Sequence, residues 1–161
     1  DDGQDVAQGL SGEICIRGPN VTPGYYQQPA ENATAFTADG YLRTGDVGVM
    51  DEQGYTSIID RKKDMILVSG FNVFPNEVEN TISLCPGVLE CAAIGVPDEK
   101  QGEAIKVFIV RSNPALTEKE VKSFCHDNMT GYKCPKHIEF RDDLPKTNVG
   151  KVLRRQLRTT A

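Results

Sequence analysis

The chain has 161 residues, of which 39% are hydrophobic and 25% charged, with a formal net charge of -5. These values fit a soluble globular protein of one ordinary domain, or one small domain with a flank, and exclude a disordered chain. No apolar run approaches the ~20 residues a membrane-spanning helix needs, no signal peptide is visible, and the chain starts at Asp1 rather than Met, which reads as a fragment of a longer protein.

Taken in order, residues 1–11 are a polar connector. Gly12-Glu13-Ile14-Cys15-Ile16-Arg17-Gly18 alternates in strand fashion between glycines. Gly18-Pro19 and Thr22-Pro23-Gly24 are turn chemistry, and Pro29 opens a short helix through Phe36. Asp39-Gly40 turns into a short strand, Tyr41 to Arg43. Asp46 then leads Val47 to Asp51, and Asp51-Glu52-Gln53-Gly54 turns the chain back into Tyr55 to Ile59 as a hairpin. Met65 to Ser69 is a strand with Gly70 as a tight point. Pro75 starts a helix to about Leu84, with acids in its first turn favouring the helix dipole. Val88 to Val96 and Ala104 to Arg111 are strands. Thr117-Glu118-Lys119-Glu120 is a capping box opening a helix to about Met129. Ile138 to Phe140 is a last short strand, and Leu153 to Leu157 a terminal helix. The fold class is α+β: a β-rich N-terminal flank at the edge of a larger body, then a small split-βαβ-like C-terminal domain.

The charge is unevenly spread. Residues 1–59 hold nine acids against two bases, and residues 60–161 fourteen acids against sixteen bases. The change falls at Asp60-Arg61-Lys62-Lys63-Asp64. This divides the chain into a flank at 1–59, a hinge at 60–64 and a C-terminal domain at 65–161. The last twenty-one residues carry six bases and two acids. No aromatic residue lies among those bases to stack on a nucleic-acid base, so a phosphate-bearing small molecule is the better partner. The five cysteines, Cys15, Cys85, Cys91, Cys125 and Cys134, are odd in number and lack a C-x-x-C, so reduced thiols are expected and no metal site. His126 and His137 form no motif with them.

Several side chains could carry chemistry. Asp46 follows Thr44-Gly45; its carboxylate could accept from the two hydroxyls of a ribose diol, although Thr-Gly-Asp is usually only a turn. Arg61 offers a rigid fork for ribose or phosphate oxygens, or a surface ion pair with Asp60 or Asp64. Four consecutive charges, Arg61 to Asp64, cannot all be buried, which gives a solvated linker whose dihedrals are free to change, as a hinge at Lys63 needs. Gly70 after Ser69 allows close backbone approach, or simply ends a strand. Gly150-Lys151 does not complete a P-loop, because Pro145 and Val152 stand where Gly and Ser or Thr are required.

Gly40-Tyr41-Leu42-Arg43-Thr44-Gly45-Asp46, Asp60-Arg61-Lys62-Lys63-Asp64, Ser69 through Glu79 and Leu144 through Arg155 together resemble the acyl-CoA synthetases of the adenylate-forming superfamily. Among these they look most like the C-terminal part of a bacterial long-chain fatty acid–CoA ligase. Arg43 stands where the family more often has His. The resemblance implies that Asp46 and Arg61 hold the nucleotide, Lys63 is the hinge, Ser69 and Gly70 line the coenzyme A path, and Lys151, on a mobile loop, serves adenylation. Tyr132-Lys133-Cys134-Pro135 reads as structural, with Lys133 a phosphate candidate. The implied reaction takes fatty acid and ATP, with Mg2+, to acyl-adenylate, and then coenzyme A to acyl-CoA. The triphosphate loop and acyl tunnel belong to the enzyme's own N-terminal domain, so the chain alone is expected to be inactive. The resemblance also implies a cytoplasmic enzyme with peripheral membrane association, and a protein acetyltransferase acting on Lys151. Three alternatives stay open: an aryl-CoA ligase or luciferase-like relative, a peptide synthetase adenylation domain, and a non-enzymatic nucleotide- or coenzyme A-binding module.

Overall fold

In the computed structural model, which describes residues 3–159, the chain divides into two units, the first ending at Lys63 and the second starting at Asp64. The first contains β1 (Ser11–Ile16), α1 (Pro29–Ala35), β2 (Leu42–Met50) and β3 (Thr56–Arg61). The three strands form an antiparallel sheet with β2 in the middle. Sequence alternation breaks at Thr44-Gly45-Asp46, so the reading above divides this stretch into two strands. The structure instead carries one strand through the break as a bulge: Cys15 pairs with Arg43 and Glu13 with Val47, so three residues of β2 face Ile14 alone. Gly45, at φ +71, turns the corner, and Thr44 Oγ1 donates to Ile14 O at 2.7 Å. The turn into β3 is held by Asp51, whose Oδ1 accepts from the Gln53 and Tyr55 amides at 3.0 and 2.8 Å.

The second unit runs β4 (Ile66–Val68), β5 (Phe71–Val73), α2 (Pro75–Ile82), β6 (Val88–Asp98), β7 (Gly102–Arg111), α3 (Glu118–Asn128), β8 (His137–Arg141) and α4 (Arg154–Thr159). Its sheet has the order β5-β4-β7-β6, and β8 lies parallel to β7. α3 is the crossover between those adjacent parallel partners, an ordinary βαβ unit. β4 and β6 both run antiparallel to β7, which lies between them, so the connection through α2 makes the split βαβ unit. β5 is absent from the sequence reading because three residues are too few for alternation to register; its pairing with β4 depends on the turn between them.

Both faces of the sheet are covered, so β7 reads as a nearly unbroken apolar run. Ala93, Ile105, Val107 and Ile109 face Val78 and Ile82 of α2 and Val121 and Cys125 of α3. On the other face, Ala92, Ile94, Phe108 and Val110 pack against Leu144 and Leu157 of α4. The capping box is formed: Thr117 Oγ1 accepts from the Glu120 amide, and the Glu120 carboxylate accepts from the Thr117 amide at 2.9 Å. Among the described residues no helix is long and apolar enough to cross a membrane.

Candidate functional site

The bulge of β2 and the end of β3 place Asp46 and Arg61 directly opposite each other. Arg61 Nε stands 2.8 Å from Asp46 Oδ1. The Thr44 hydroxyl accepts from the Asp46 amide at 3.1 Å, which fixes the backbone beneath that carboxylate. The pair is open to solvent, with the Arg61 side chain 55% and that of Asp46 24% exposed, so ligand oxygens can reach both groups. Bulges often re-aim a side chain in this way beside a site.

The charged stretch that follows is not uniformly solvated. Asp60 and Arg61 end β3, and Lys62–Asp64 form one turn of 3-10 helix. Asp60 is 3% and Asp64 8% exposed. Burial of Asp64 is offset by Arg158, whose guanidinium donates to Asp64 Oδ1 at 2.8 Å, with Arg154 3.9 Å from the other oxygen. Lys62 reaches Glu13 Oε2 at 2.8 Å, an oxygen shared with Arg43 at 3.2 Å. Burial pushes the Glu13 carboxyl up, but the hydrogen bonds and charges of Lys62 and Arg43 outweigh it and hold the group below the usual carboxylate range. Lys62 is thus tied within the first unit and Asp64 within the second. Lys63 between them is exposed and, among the described residues, has no ion-pair partner.

Ser69 and Gly70 form the two-residue turn between β4 and β5. Both have positive φ, +51 and +86, the pattern of a primed hairpin turn, which only Gly adopts without cost. The Ser69 amide donates to Gln101 O at 2.8 Å, so the turn sits beside the β6–β7 connection. Phe71 follows, half-exposed and stacked on Tyr132 with ring centroids 4.6 Å apart, and Lys133 pairs with Glu77.

Lys151 lies on a tight hairpin. Lys146 pairs with Val152, the Gly150 amide donates to Thr147 O at 2.9 Å, and the Thr147 amide donates to Lys151 O at 2.8 Å. Gly150, at φ +81, makes the turn, and the Leu153 amide bonds Pro145 O at 2.7 Å below it. Lys151 thus sits on a closed hairpin whose stem residue Val152 packs on the core. The two lysines here differ. Lys146 is neutralised by Glu90 at 2.7 Å, and that hydrogen bond raises its pKa. Lys151 is exposed, and among the described residues no carboxylate pairs with its ammonium.

These two regions lie toward opposite ends of β6. The hairpin stem contacts Glu90, and the Ser69-Gly70 turn contacts the connection that follows Asp98. At ~3.3 Å per residue the span from Glu90 to Asp98 is ~25 Å.

Residues 77–151 match the family described as the AMP-binding enzyme C-terminal domain. That stretch belongs to this family. It is 55% identical over 161 residues, its whole length, to a long-chain-fatty-acid–CoA ligase of Escherichia coli O157:H7. It is 56% identical over 158 residues to one of Yersinia pestis. The chain spans 28% of the length of each of these relatives. Among solved structures, ATP-bound MatB from Rhodopseudomonas palustris superposes with a TM-score of 0.93 at 38% identity, over 99% of this chain and 32% of that one. The span matched to the AMP-binding domain ends at Lys151 and does not reach back to Asp46, Arg61, Ser69 or Gly70.

Three features of this chain escape the sequence reading. They are the Glu13 bridge between Arg43 and Lys62, the Asp64–Arg158 pair, and Glu79. Glu79 takes the Arg154 guanidinium on both its oxygens, at 3.1 and 2.7 Å, and the Ala93 amide at 2.8 Å. Asn76, three residues earlier on the same helix face, accepts from Arg154 at 2.7 Å. That i, i+3 spacing on a mostly polar helix does not stand out from its other polar residues, so it gave no signal. The other two pairs join residues dozens of positions apart and leave no local pattern.

Proposed function

We propose that the chain is the C-terminal part of an ATP-dependent ligase that converts a long-chain fatty acid to acyl-adenylate and then to acyl-CoA, releasing AMP and pyrophosphate. The observation that carries this reading is the 55% identity to a long-chain-fatty-acid–CoA ligase along the full chain.

Each residue's part follows from its chemistry. The Asp46 carboxylate accepts from the ribose hydroxyls, and Arg61 orients that carboxylate while offering its remaining N–H groups to nucleotide oxygens. In adenylation a carboxylate approaches an α-phosphate, so two anions must meet. The exposed Lys151 ammonium lowers that repulsion and stabilises the charge that develops. In the second half-reaction the Ser69-Gly70 turn, with little side chain in the way, lines the path of the coenzyme A arm. A separation of ~25 Å along one strand keeps the two regions from serving one reacting carbonyl together. Their alternation needs a pivot, and Lys63 is our choice for it. Mg2+ belongs to the ATP chemistry of such a reaction; among the described residues no cluster of His, Cys, Asp or Glu fits it. The reading also includes a cytoplasmic location with fatty acid delivered at a membrane surface, and an acetyltransferase that would silence Lys151 by removing its charge.

The test is Lys151→Ala in the whole enzyme. Adenylation is expected to fall by ~10²–10³, the scale for losing one transition-state donor, while thioester formation from supplied acyl-adenylate persists. Equal loss of both steps would reject this role for Lys151.

A further inference from the structure

The hairpin bearing Lys151 runs straight into α4, and α4 grips the first residue of the second unit. Arg158 holds Asp64 Oδ1 at 2.8 Å, and Arg154 stands 3.9 Å from Asp64 Oδ2 while it clamps Glu79 on α2. Leu157 between them is fully buried against Ala92, Ile94 and Phe108, which fixes the face that α4 presents. Upstream, Leu153 and Val152 tie the base of the hairpin to Pro145 and Lys146. A short continuous path therefore leads from Asp64, next to Lys63, through two guanidinium groups and about one turn of helix to Lys151. The Ser69-Gly70 turn takes a different route: it hangs on β4, two residues past Asp64, and on Gln101 O.

We propose that Asp64 and Arg158 are positioning residues for Lys151. Their ion pair makes α4 and the hairpin turn with the hinge as one piece, so that a rotation at Lys63 delivers the ammonium to a fixed place. The inference rests on the adenylation role of Lys151 and adds the residues that set its position. Helix α4 is short, with one buried apolar side chain, Leu157. The Asp64 contact adds a fixed point near its C-terminal end to those that Leu157 and the Arg154 clamp on Glu79 and Asn76 already supply. Arg is suited to the task because its planar fork fixes direction as well as distance. Loss of the pair displaces Lys151 without touching the route to Ser69 and Gly70.

The experiment compares Arg158→Gln, Arg158→Lys and Lys151→Ala in the whole enzyme, with each half-reaction assayed separately. Arg158→Gln is expected to slow adenylation by about tenfold or more, the scale of an ångström-sized misplacement, with thioester formation from supplied acyl-adenylate held within about twofold. Arg158→Lys keeps the charge and is expected to recover part of the rate. Amide exchange supplies a readout independent of turnover: the Leu153 amide exchanges faster in Arg158→Gln, and the Ser69 amide does not. If Arg158→Gln leaves adenylation and Leu153 exchange unchanged, or slows both half-reactions equally, while Lys151→Ala removes adenylation alone, the positioning role is overturned and the Lys151 reading stands. If Lys151→Ala adenylates normally, the underlying reading fails and the positioning role fails with it.

Discussion

Arg61 Nε and Asp46 Oδ1 face each other at 2.8 Å across β2 and β3. Two groups that a nucleotide would need are thus already in contact before any ligand arrives. They should behave as a unit in binding and add little to stability. With Arg61 55% exposed, removing the pair costs no more than about 1 kcal/mol of folding free energy. Asp46→Asn or Arg61→Gln is expected to weaken ATP binding about tenfold or more, on the scale of one charge-assisted hydrogen bond. The double variant should lose less than the product of the two, because the first substitution already frees the remaining group to rotate. ATP titrations of the four whole-enzyme forms check this, and strictly multiplicative losses would mean that the two act independently.

Glu13 gives a pH dependence with a definite sign. Burial raises its pKa, and Lys62 and Arg43 lower it further than burial raises it, so the folded value is below the unfolded one. Such a group adds stability above its unfolded pKa and loses it as pH falls through the folded value. The gap in thermal stability between the unaltered protein and Glu13→Gln is expected to be largest at neutral pH. It should shrink once pH drops below the ordinary carboxylate range. Lys62 and Arg43 are about a third exposed, so screening holds the neutral-pH gap to about 1 kcal/mol. A gap that is constant from pH 7 to pH 3 would show that Glu13 acts through shape and not charge.

What could be read from residues alone was local. The Thr117 capping box, the Pro75 helix start, and the apolar runs of β6 and β7 each announce themselves within a few positions, and the structure has all of them. β5 was hidden because its identity as a strand lies in the turn before it, where Ser69 takes a left-handed conformation its side chain does not favour. The candidate site was legible as motifs but not as geometry. That Asp46 and Arg61 are cross-strand partners follows from two bulges, one on each side of β2, and no spacing rule counts those. The solvated stretch at Arg61 to Asp64 failed at Asp64 for a plain reason: a charge can be buried once another supplies its partner, and Arg158 is 94 positions away.

The two left-handed turns make separate, opposite predictions. At Ser69, φ +51 puts a non-glycine residue where a Cβ is strained by about 1–2 kcal/mol. Ser69→Asn, which gives the Asn-Gly pair that suits this turn best, is expected to raise stability by several tenths of a kcal/mol, and Ser69→Val to lower it by about 1 kcal/mol or more. At Gly150, φ is +81 and a new Cβ would meet nothing within 4 Å, so the cost of Gly150→Ala is conformational and not steric. It should destabilise by about 1 kcal/mol and, since it reshapes the turn under Lys151, slow adenylation more than thioester formation. Denaturant melts with half-reaction assays check both; a stabilised Gly150→Ala protein would contradict the turn geometry.

The cysteines should be chemically quiet in the native protein. Burial pushes the Cys91 and Cys125 thiols up to about 12, and it raises Cys85 and Cys134 as well. The thiolate is the reactive form, and at pH 8 a thiol with that pKa is ionised in only about one molecule in 10⁴. A disulfide reagent at pH 8 is therefore expected to modify Cys91 and Cys125 only at the rate of local or global opening, and to modify them fully once denaturant unfolds the chain. The position of Cys125, fully buried on the face that α3 turns to the sheet, sets the comparison, because any reagent reaching it must displace core side chains. Mass spectrometry of partially labelled protein resolves which thiol reacts. Fast native labelling of Cys91 or Cys125, independent of denaturant, would mean that one of them is an accessible nucleophile, and the core packing between α2, α3 and β6 would have to be redrawn.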